Sequence, residues 1–242
     1  MNELKRVKFK ESLSIVIPLH NKEKNIESTI SLIIKYISSP NLQIVIVENE
    51  STDSSKLIAK NTVDNLKNKI DISLHESRKG LGNALIEGFK HCKNEWIYFI
   101  PADFSFGNSD IEFVVKNNLF KKYELFIGSK SHPDSLIERK LSRKIYSKFF
   151  NFIIKNLFII NVSDTQGSLI FKSDLLNKVS DLGSEEFLIT AEIIIKSIKK
   201  EAKILEIPIT DYQINSISTV SPIRDGIKML FQLIRLRIKI KE

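Results

Sequence analysis

The sequence predicts an α/β protein with a mostly parallel central sheet and helices on both faces. Two observations carry this prediction: short apolar runs rich in Ile and Val recur through the first half, and each precedes a polar loop and a segment with helical spacing. Such alternation is typical of parallel sheets, whose crossover helices cover both faces. A length of 242 residues favours one large domain, since domains average roughly 150 residues.

Five strands are expected in the first half, at Leu13–Pro18, Gln43–Glu48, Asp71–Glu76, Glu95–Ile100 and Glu124–Ser129. The first helix is predicted from the apolar stripe that runs from Ile26 to Tyr36. The second starts at the N-cap candidates of residues 51–55 and reaches about Asn68. A third runs from the glycines at 80 and 82 to about Lys90, and a short fourth contains Val114 and Val115.

The second half is expected to complete the sheet and to build the other wall of a cleft. It contains a long amphipathic helix over 138–156, a strand over 167–172, a helix over 185–199 and a last strand over 202–208. Residues 1–223 are therefore predicted to form a single domain. Residues 224–242 are predicted to form a basic amphipathic C-terminal helix.

Composition and charge limit the classes of function. Lys and Arg number 37 against 29 Asp and Glu, and the resulting net charge of +8 favours anionic partners, among which charge alone does not choose. No apolar run approaches the roughly 18 residues of a membrane span, and no secretory signal pattern is present, so we expect a cytoplasmic protein. A single Cys92 and four scattered histidines exclude a disulfide framework and a multi-thiolate zinc site. Cys92 is expected to be a small buried hydrophobe.

The loops that follow the five strands are expected to converge, because ligands bind beyond the carboxyl ends of an open parallel sheet. These loops mix carboxylates, basic groups and glycines, at residues 18–23, 48–53, 78–83, 101–105 and 128–130. The mixture suits a metal-bound nucleotide diphosphate: carboxylates and phosphates share the cation, basic groups neutralise the remaining charge, and glycines allow backbone N–H groups to approach.

From about Leu13 to Pro208 the chain resembles the family 2 glycosyltransferases of the GT-A fold, and among them the polyprenyl (dolichyl) phosphate mannose and glucose synthases. Residues 14–26, Ser-Ile-Val-Ile-Pro-Leu-His-Asn-Lys-Glu-Lys-Asn-Ile, resemble the family's first strand and its aromatic-Asn-Glu-Glu-x-Asn-Ile loop. Residues 47–53 resemble Val-Asp-Asp-Gly-Ser-Thr-Asp, and 78–84 resemble Asn-x-Gly-x-Gly-x-Ala. Ser129-Lys130, Arg143-x-x-x-Ser147-x-x-x-Asn151 and Asp164-Thr-Gln166 follow in family order.

The resemblance implies roles for individual residues. It implies that Asp103, Asp164 and Gln166 are catalytic, and that Asp103 and Ser105 bind Mg²⁺ or Mn²⁺. It implies nucleotide contacts for Pro18, His20, Glu23, Glu48, Lys79, Gly80 and Ala102, and acceptor-phosphate contacts for Lys130, Arg143 and Ser147. Structural alternatives stay open: turn or capping roles for Asp103, Ser105 and Glu23, a solvated strand end for Glu48, a helix start for Gly80, a loop-stabilising role for Asp164 and Gln166, and a solvated basic helix for Arg143.

The implied activity is transfer of a sugar, with inversion, from a nucleotide-diphosphate sugar to a polyprenyl phosphate or a saccharide. A phosphate acceptor is already anionic, which reduces the need for a general base. The basic, apolar residues 224–242 fit a peripheral contact with the cytosolic membrane face; a helix packed on the sheet or a dimer seam is the alternative. Nucleic acid is not an expected partner.

Two departures from the family pattern leave a second interpretation open. Pro101-Ala102-Asp103 keeps only the second Asp of the family's Asp-x-Asp metal motif, and residues 213–221 lack the Arg, Gly and Lys of its C-terminal Arg-x-x-Gly-x-Ser-Lys signature. One interpretation is an enzyme with a variant phosphate clamp, formed by Arg78, Lys79, Lys130 or Arg224. The other is a non-catalytic nucleotide-sugar-binding or scaffold relative with a degenerate metal motif.

Overall fold

The computed structural model describes residues 4–137, 141–179, 181–184, 186–211, 231–238 and 240, and only the backbone of 141–144. Its strands are β1 (Val7–Lys8), β2 (Leu13–Leu19), β3 (Ile37–Ser38), β4 (Leu42–Glu48), β5 (Asp71–Glu76), β6 (Trp96–Phe99), β7 (Leu125–Ser129), β8 (Leu169–Lys172) and β9 (Ile204–Pro208). Its helices are α1 (Ile26–Tyr36), α2 (Ser55–Leu66), α3 (Leu81–Lys90), α4 (Ser109–Lys116), α5 (Leu141–Phe158), α6 (Asp174–Lys178) and α7 (Leu188–Lys199). Residues 231–238 form a further helix, α8.

The central sheet has seven strands in the order β5-β4-β2-β6-β8-β7-β9. Strands β5, β4, β2 and β6 pair in parallel, and β7 pairs in parallel with β9. Strand β8 is antiparallel to both of its neighbours, β6 and β7. The predicted mostly parallel sheet is therefore confirmed, while the reversed direction of β8 was not predicted.

The direction of β8 decides which loops share an edge of the sheet. The carboxyl ends of β2, β4, β5, β6, β7 and β9 lie along one edge, because these six strands point the same way. Strand β8 points the other way, so its beginning lies at that edge. The segment that precedes β8 consequently joins the loops that follow the parallel strands.

Two apolar layers cover the sheet, as the predicted helices on both faces require. Along β2, Ile15 and Ile17 face the layer built with α1, α2 and α4, whereas Val16 faces the layer built with α3, α5, α7 and α8. Alternating side chains of one strand therefore enter opposite layers, as strand geometry demands. In α1 the buried positions include Ile26, Ile30 and Ile33, the spacing of one helical face.

The C-terminal helix has a buried side and an exposed side. Leu233 and Leu236 are buried within the layer of α3 and α7, while Phe231, Ile234 and Ile238 are exposed. Packing on the domain, one of the two alternatives for this segment, therefore accounts for its buried side. Residues 212–230, which include the departure from the C-terminal signature, and residues 239, 241 and 242 lie outside the described part of the chain.

Cys92 is half-buried rather than fully buried, and packs against the α3 layer. Its Sγ donates to the carbonyl of Gly88 at 3.4 Å, and burial raises the pKa of the thiol to about 12. The expected hydrophobe-like thiol is therefore present, with a more open position than predicted.

Candidate active site

One buried residue, Asn49, joins the loop after β4 to the loops after β2 and β5. Its backbone carbonyl accepts a 2.8 Å hydrogen bond from Nδ1 of His20, after β2. Its side-chain Oδ1 accepts the backbone N–H of Gly80 at 2.9 Å, and its Nδ2 donates to Ser77 Oγ at 2.9 Å and to the carbonyl of Arg78. Asn49 was not among the predicted site residues, although a polar residue directly after a buried strand end was the available signal.

Gly80, predicted to contact the nucleotide, has φ 120° and immediately precedes α3. A side chain is strained at this φ, so the turn requires glycine. The backbone N–H of Gly80 already donates to Asn49 within the protein. The exposed Lys79 lies beside the amino end of α3. The first-turn N–H groups of a helix lack helical partners and favour anions.

The carboxylates of Glu23 and Glu48 both bond to the segment between β4 and α2. Glu48 is buried at the end of β4, and its Oε1 accepts the backbone N–H of Ser51 at 2.5 Å. The Oε2 of Glu23 accepts the backbone N–H of Ser54 at 2.9 Å. The capping alternative thus accounts for the observed contact of Glu23, and nucleotide contacts of both residues stay predictions.

Pro18 and Ala102 lie in the wall of the site as buried or half-buried backbone. Pro18 lies two residues beyond Val16, the last residue of β2 that pairs with β6, so its missing N–H leaves no ladder bond unmade on that side. The carbonyl of Ala102 accepts the hydroxyl of Thr29 from α1 at 2.9 Å. Nucleotide contacts at these two positions stay predictions.

Asp103 projects from a tight turn that follows β6. The turn is closed by a 2.9 Å hydrogen bond from the N–H of Phe104 to the carbonyl of Pro101, and Phe104 has a left-handed φ of 49°. Asp103 Oδ1 accepts the backbone N–H of Ser105 at 3.2 Å. Its Oδ2 accepts the ammonium of Lys22, from the loop after β2, at 2.9 Å.

The single carboxylate of Asp103 fits a divalent cation whose remaining ligands are diphosphate oxygens and water. Within the described residues, no group of three or more His, Cys, Asp or Glu side chains is arranged to hold a metal. Mg²⁺ is commonly bound by one or two carboxylates plus substrate phosphates and water, and Asp103 supplies one such carboxylate. The predicted ligand Ser105 contacts Asp103 through its backbone, and a metal contact of its side chain stays a prediction.

Asp164 and Lys130 form a buried ion pair across the edge where β7 ends and β8 begins. Lys130 Nζ lies 3.2 Å from Asp164 Oδ2, with side-chain exposures of 11% and 3%. Asp164 Oδ2 also accepts the backbone N–H of Lys130 at 2.9 Å, and Oδ1 accepts that of Gln166 at 3.0 Å. The Lys130 ammonium donates to the carbonyl of Gln166 as well. The structure therefore brings these three predicted residues together.

Burial raises the pKa of Asp164, but the charge of Lys130 and the N–H donors outweigh burial, so that the pKa lies below its usual value. Asp164 is consequently an anion at neutral pH. Glu206 on β9 holds the same segment, since its carboxylate accepts the N–H groups of Ser163 and Asp164 at 2.9 and 3.0 Å. The Asp164 segment is thus fixed from two strands.

Helix α5 connects this segment to the protein surface. Asn151 is buried, and its Oδ1 accepts both the backbone N–H and the hydroxyl of Thr165, at 3.3 and 3.1 Å. Ser147, predicted to contact an acceptor phosphate, is half-buried one turn earlier on α5. The side chain of Arg143 lies outside the described residues, so its predicted contact stays a prediction.

A second buried network supports the beginning of β8. Asp110 at the start of α4 accepts the hydroxyls of Tyr98 and of Ser168, the latter at 2.5 Å. Burial raises the pKa of Asp110 above its usual value, while the hydrogen bonds from Ser168, from Tyr98 and from backbone N–H groups oppose the shift. Next to Ser168, a Cβ added to Gly167 would lie 1.8 Å from the carbonyl oxygen of Gly128. The chain therefore requires glycine where the segment before β8 approaches the backbone of β7 at Gly128.

The loops after the parallel strands, one strand-end carboxylate and a basic group beside a buried acid are compatible with a nucleotide-sugar transferase. The family model described as "Glycosyl transferase family 2" matches residues 14–179. The chain belongs to this family and is a glycosyltransferase.

Relatives of known sequence cover nearly the whole chain. An uncharacterized protein, MJ1222, of Methanocaldococcus jannaschii is 32% identical over 95% of this chain and 93% of its own length. The dolichyl-phosphate beta-glucosyltransferase of Saccharomyces cerevisiae is 26% identical over 93% of this chain and 74% of its own length. Glycosyltransferase AglD of Haloferax volcanii is 21% identical over 92% of this chain and 36% of its own length.

Solved structures share the fold. Glucosyl-3-phosphoglycerate synthase from Mycobacterium tuberculosis, in complex with Mn²⁺, uridine diphosphate and glucosyl-3-phosphoglycerate, superposes with a TM-score of 0.67 at 16% identity. The match covers 95% of this chain and 79% of the synthase. Another structure of that synthase contains Mg²⁺ and uridine diphosphate, and superposes with a TM-score of 0.65.

Proposed function

We propose that this protein transfers a sugar from a nucleotide-diphosphate sugar to a polyprenyl phosphate at the cytosolic face of an anionic membrane, with inversion at the anomeric carbon. The donor side of the proposal is supported by the convergence of the Asn49, Gly80 and Asp103 loops. The acceptor side is supported by Lys130, by the relative that acts on dolichyl phosphate, and by helix α5.

The observation that carries the acceptor assignment is the outward face of α5. Ile145, Phe149 and Phe152 are 59%, 64% and 63% exposed, and their spacing places them on one side of the helix. We call these three residues the α5 stripe. Large apolar side chains grouped on a surface mark contacts with lipid or protein, and α5 is the helix whose Asn151 bonds to the Asp164 segment.

Charge favours lipid as the occupant of the α5 stripe. Lys148 is exposed and Lys155 half-buried on the same helix, and the whole chain carries a net charge of +8. Amphipathic helices with apolar and basic residues lie in anionic membrane interfaces. The exposed Phe231, Ile234 and Ile238 of α8 support a second peripheral contact. No helix in the described ranges combines the length and hydropathy of a membrane span.

The residues divide the chemical work. Lys130, held by Asp164, places a cation where an acceptor phosphate is expected, and the phosphate oxygen attacks the anomeric carbon without a general base. Asp103, with the donor diphosphate, is proposed to hold Mg²⁺ or Mn²⁺; the chemistry the bound cation supplies is neutralisation of charge on the departing diphosphate. The bond from the anomeric carbon to the diphosphate breaks as the bond to the acceptor oxygen forms, which inverts the configuration.

A thermal-shift panel of UDP-, GDP-, CMP- and dTDP-sugars, with and without Mn²⁺, tests the donor site, because a ligand of the folded state raises the melting temperature. We expect one nucleotide to give a Mn²⁺-dependent shift that Asp103→Ala abolishes. The absence of any shift across the panel would overturn the donor assignment and favour the non-catalytic interpretation.

Co-sedimentation with anionic liposomes tests the lipid surface. We expect Phe149→Glu together with Phe152→Glu to reduce binding at least tenfold and to slow transfer to a polyprenyl phosphate in those liposomes. Leu57→Glu is the matched control, since Leu57 is 61% exposed on α2, away from α5. Equal co-sedimentation of all three proteins, or transfer to soluble 3-phosphoglycerate in preference to the polyprenyl phosphate, would overturn the acceptor assignment.

A further inference from the structure

Lys22 forms an ion pair with Asp103, the carboxylate that is proposed to hold the metal. Its ammonium lies 2.9 Å from Asp103 Oδ2, and the two side chains are 37% and 15% exposed. The residue stands at the first glutamate position of the aromatic-Asn-Glu-Glu-x-Asn-Ile loop that residues 20–26 resemble. The loop therefore presents a cation to Asp103 where the motif has an acid.

The backbone around Lys22 is held by three hydrogen bonds to one neighbouring segment, residues 52–55. Its N–H donates to the buried hydroxyl of Ser55 at 2.7 Å. The preceding Asn21 has a left-handed φ of 49°, and its Oδ1 accepts the N–H of Thr52 at 2.8 Å. The following Glu23 donates its N–H to Asp53 Oδ2 at 3.2 Å. Lys22 thus starts from an anchored turn, and its side chain spans from the β2 loop to the β6 loop.

An ammonium and a divalent cation compete for the same carboxylate. With Lys22 in contact, the Asp103 carboxylate is neutralised, and a cation that approaches it alone meets a like charge a few ångströms away. A diphosphate changes this balance, because its oxygens accept both an ammonium and a cation. Lys22 has a flexible stem and a half-exposed head, so it can leave the carboxylate for a phosphate oxygen.

We infer that Lys22 is an exchangeable counter-ion, which blocks Asp103 against free divalent cations and moves to the donor diphosphate when nucleotide and metal bind together. The inference rests on the proposed donor site. It makes metal binding conditional on the nucleotide, and it assigns to Lys22 part of the phosphate-binding role that the family's C-terminal signature would otherwise supply.

Isothermal titration calorimetry of the full chain with Mn²⁺ alone, with UDP or GDP alone, and with both together tests the exchange. The proteins are wild type, Lys22→Gln, Asp103→Asn and the control Lys24→Gln, since Lys24 is exposed in the same loop. We expect Lys22→Gln to bind free Mn²⁺ about tenfold more tightly than wild type. It should also bind the nucleotide with Mn²⁺ several-fold more weakly, while Lys24→Gln matches wild type and Asp103→Asn binds no free Mn²⁺.

The inference is overturned when Lys22→Gln binds free Mn²⁺ within twofold of wild type, or when it binds the nucleotide with Mn²⁺ as tightly as wild type does. Failure of the proposed donor site has a different signature. In that case wild type and Lys24→Gln bind neither UDP nor GDP under any condition. The affinities of wild type and Lys22→Gln for free Mn²⁺ still decide whether Lys22 blocks cation binding at Asp103.

Discussion

Breaking the Lys130–Asp164 pair should lower the free energy of unfolding. The two side chains are only 11% and 3% exposed, and removal of either one leaves the charge of the other without its partner. Removal of one member of a buried pair typically costs about 3–5 kcal/mol. We therefore expect Lys130→Met to lower the free energy of unfolding by about 3 kcal/mol. Asp164→Ala should cost more, since the carboxylate also accepts the N–H groups of Lys130 and Gln166 at 2.9 and 3.0 Å.

Urea denaturation of both single variants and of the double variant, as a double-mutant cycle, measures the coupling between the two side chains. We expect a coupling of about 2 kcal/mol or more, within the range for residues in one network. The matched control is the Lys56–Glu76 pair, whose N–O distance is 2.8 Å but whose side chains are 52% and 64% exposed. That pair should show no measurable coupling, because water screens exposed charges.

Equal, small coupling for the two pairs would refute the reasoning from burial. A low pH supplies a second check. The pKa of folded Asp164 lies below its ordinary value of 3.8, so the stabilisation by its carboxylate is present above that value and is lost as the pH falls through the lower, folded pKa. The stability difference between wild type and Asp164→Ala should therefore shrink in strong acid.

Three further outcomes are expected. Gly167→Ala should lower the free energy of unfolding in urea by about 1–3 kcal/mol, since its Cβ would lie 1.8 Å from the Gly128 carbonyl oxygen; unchanged stability would contradict this close approach of the two backbones. Cys92, with a thiol pKa of about 12, should resist a thiol reagent in the folded protein at about pH 8 and react fully in denaturant. The raised pKa of Asp110 makes its ionised form unfavourable, so wild type should lose stability relative to Asp110→Asn as the pH rises above the ordinary carboxyl pKa of 3.8; a stability difference that does not change with pH would contradict this expectation.

The strands and helices of the first half could be predicted because their burial follows simple periodicity. Predicted and observed bounds of β4 and β5 differ by at most one residue, and α1 keeps its predicted apolar stripe. The direction of β8 could not be predicted, since an apolar run carries no sign of which way its strand points. The short α6 and the β1–β3 pair were missed because segments of two to five residues have too little periodicity.

The site was predictable at the level of loops and less so at the level of contacts. Asp164, Lys130 and Gln166 were expected and do come together. Asn49 and Lys22 were missed because their importance depends on partners 31 and 81 positions away, which no local pattern reveals. The exposure of the α5 stripe depends on which side of the helix meets the sheet, and that also requires the three-dimensional fold.

The reversed strand β8 has a consequence for how this enzyme can diversify. The chain leaves the sheet at Lys130 and returns at Asp164, 34 positions later, at the same edge, and the ion pair closes the excursion at its base. The inner side of this excursion packs in the core through Ile154 and Phe158, but its outer surface can change without altering the order or register of the strands. Under the proposed function, the outer surface of the segment between β7 and β8, which would contact the acceptor, can therefore vary while the sheet that carries the donor loops keeps its order.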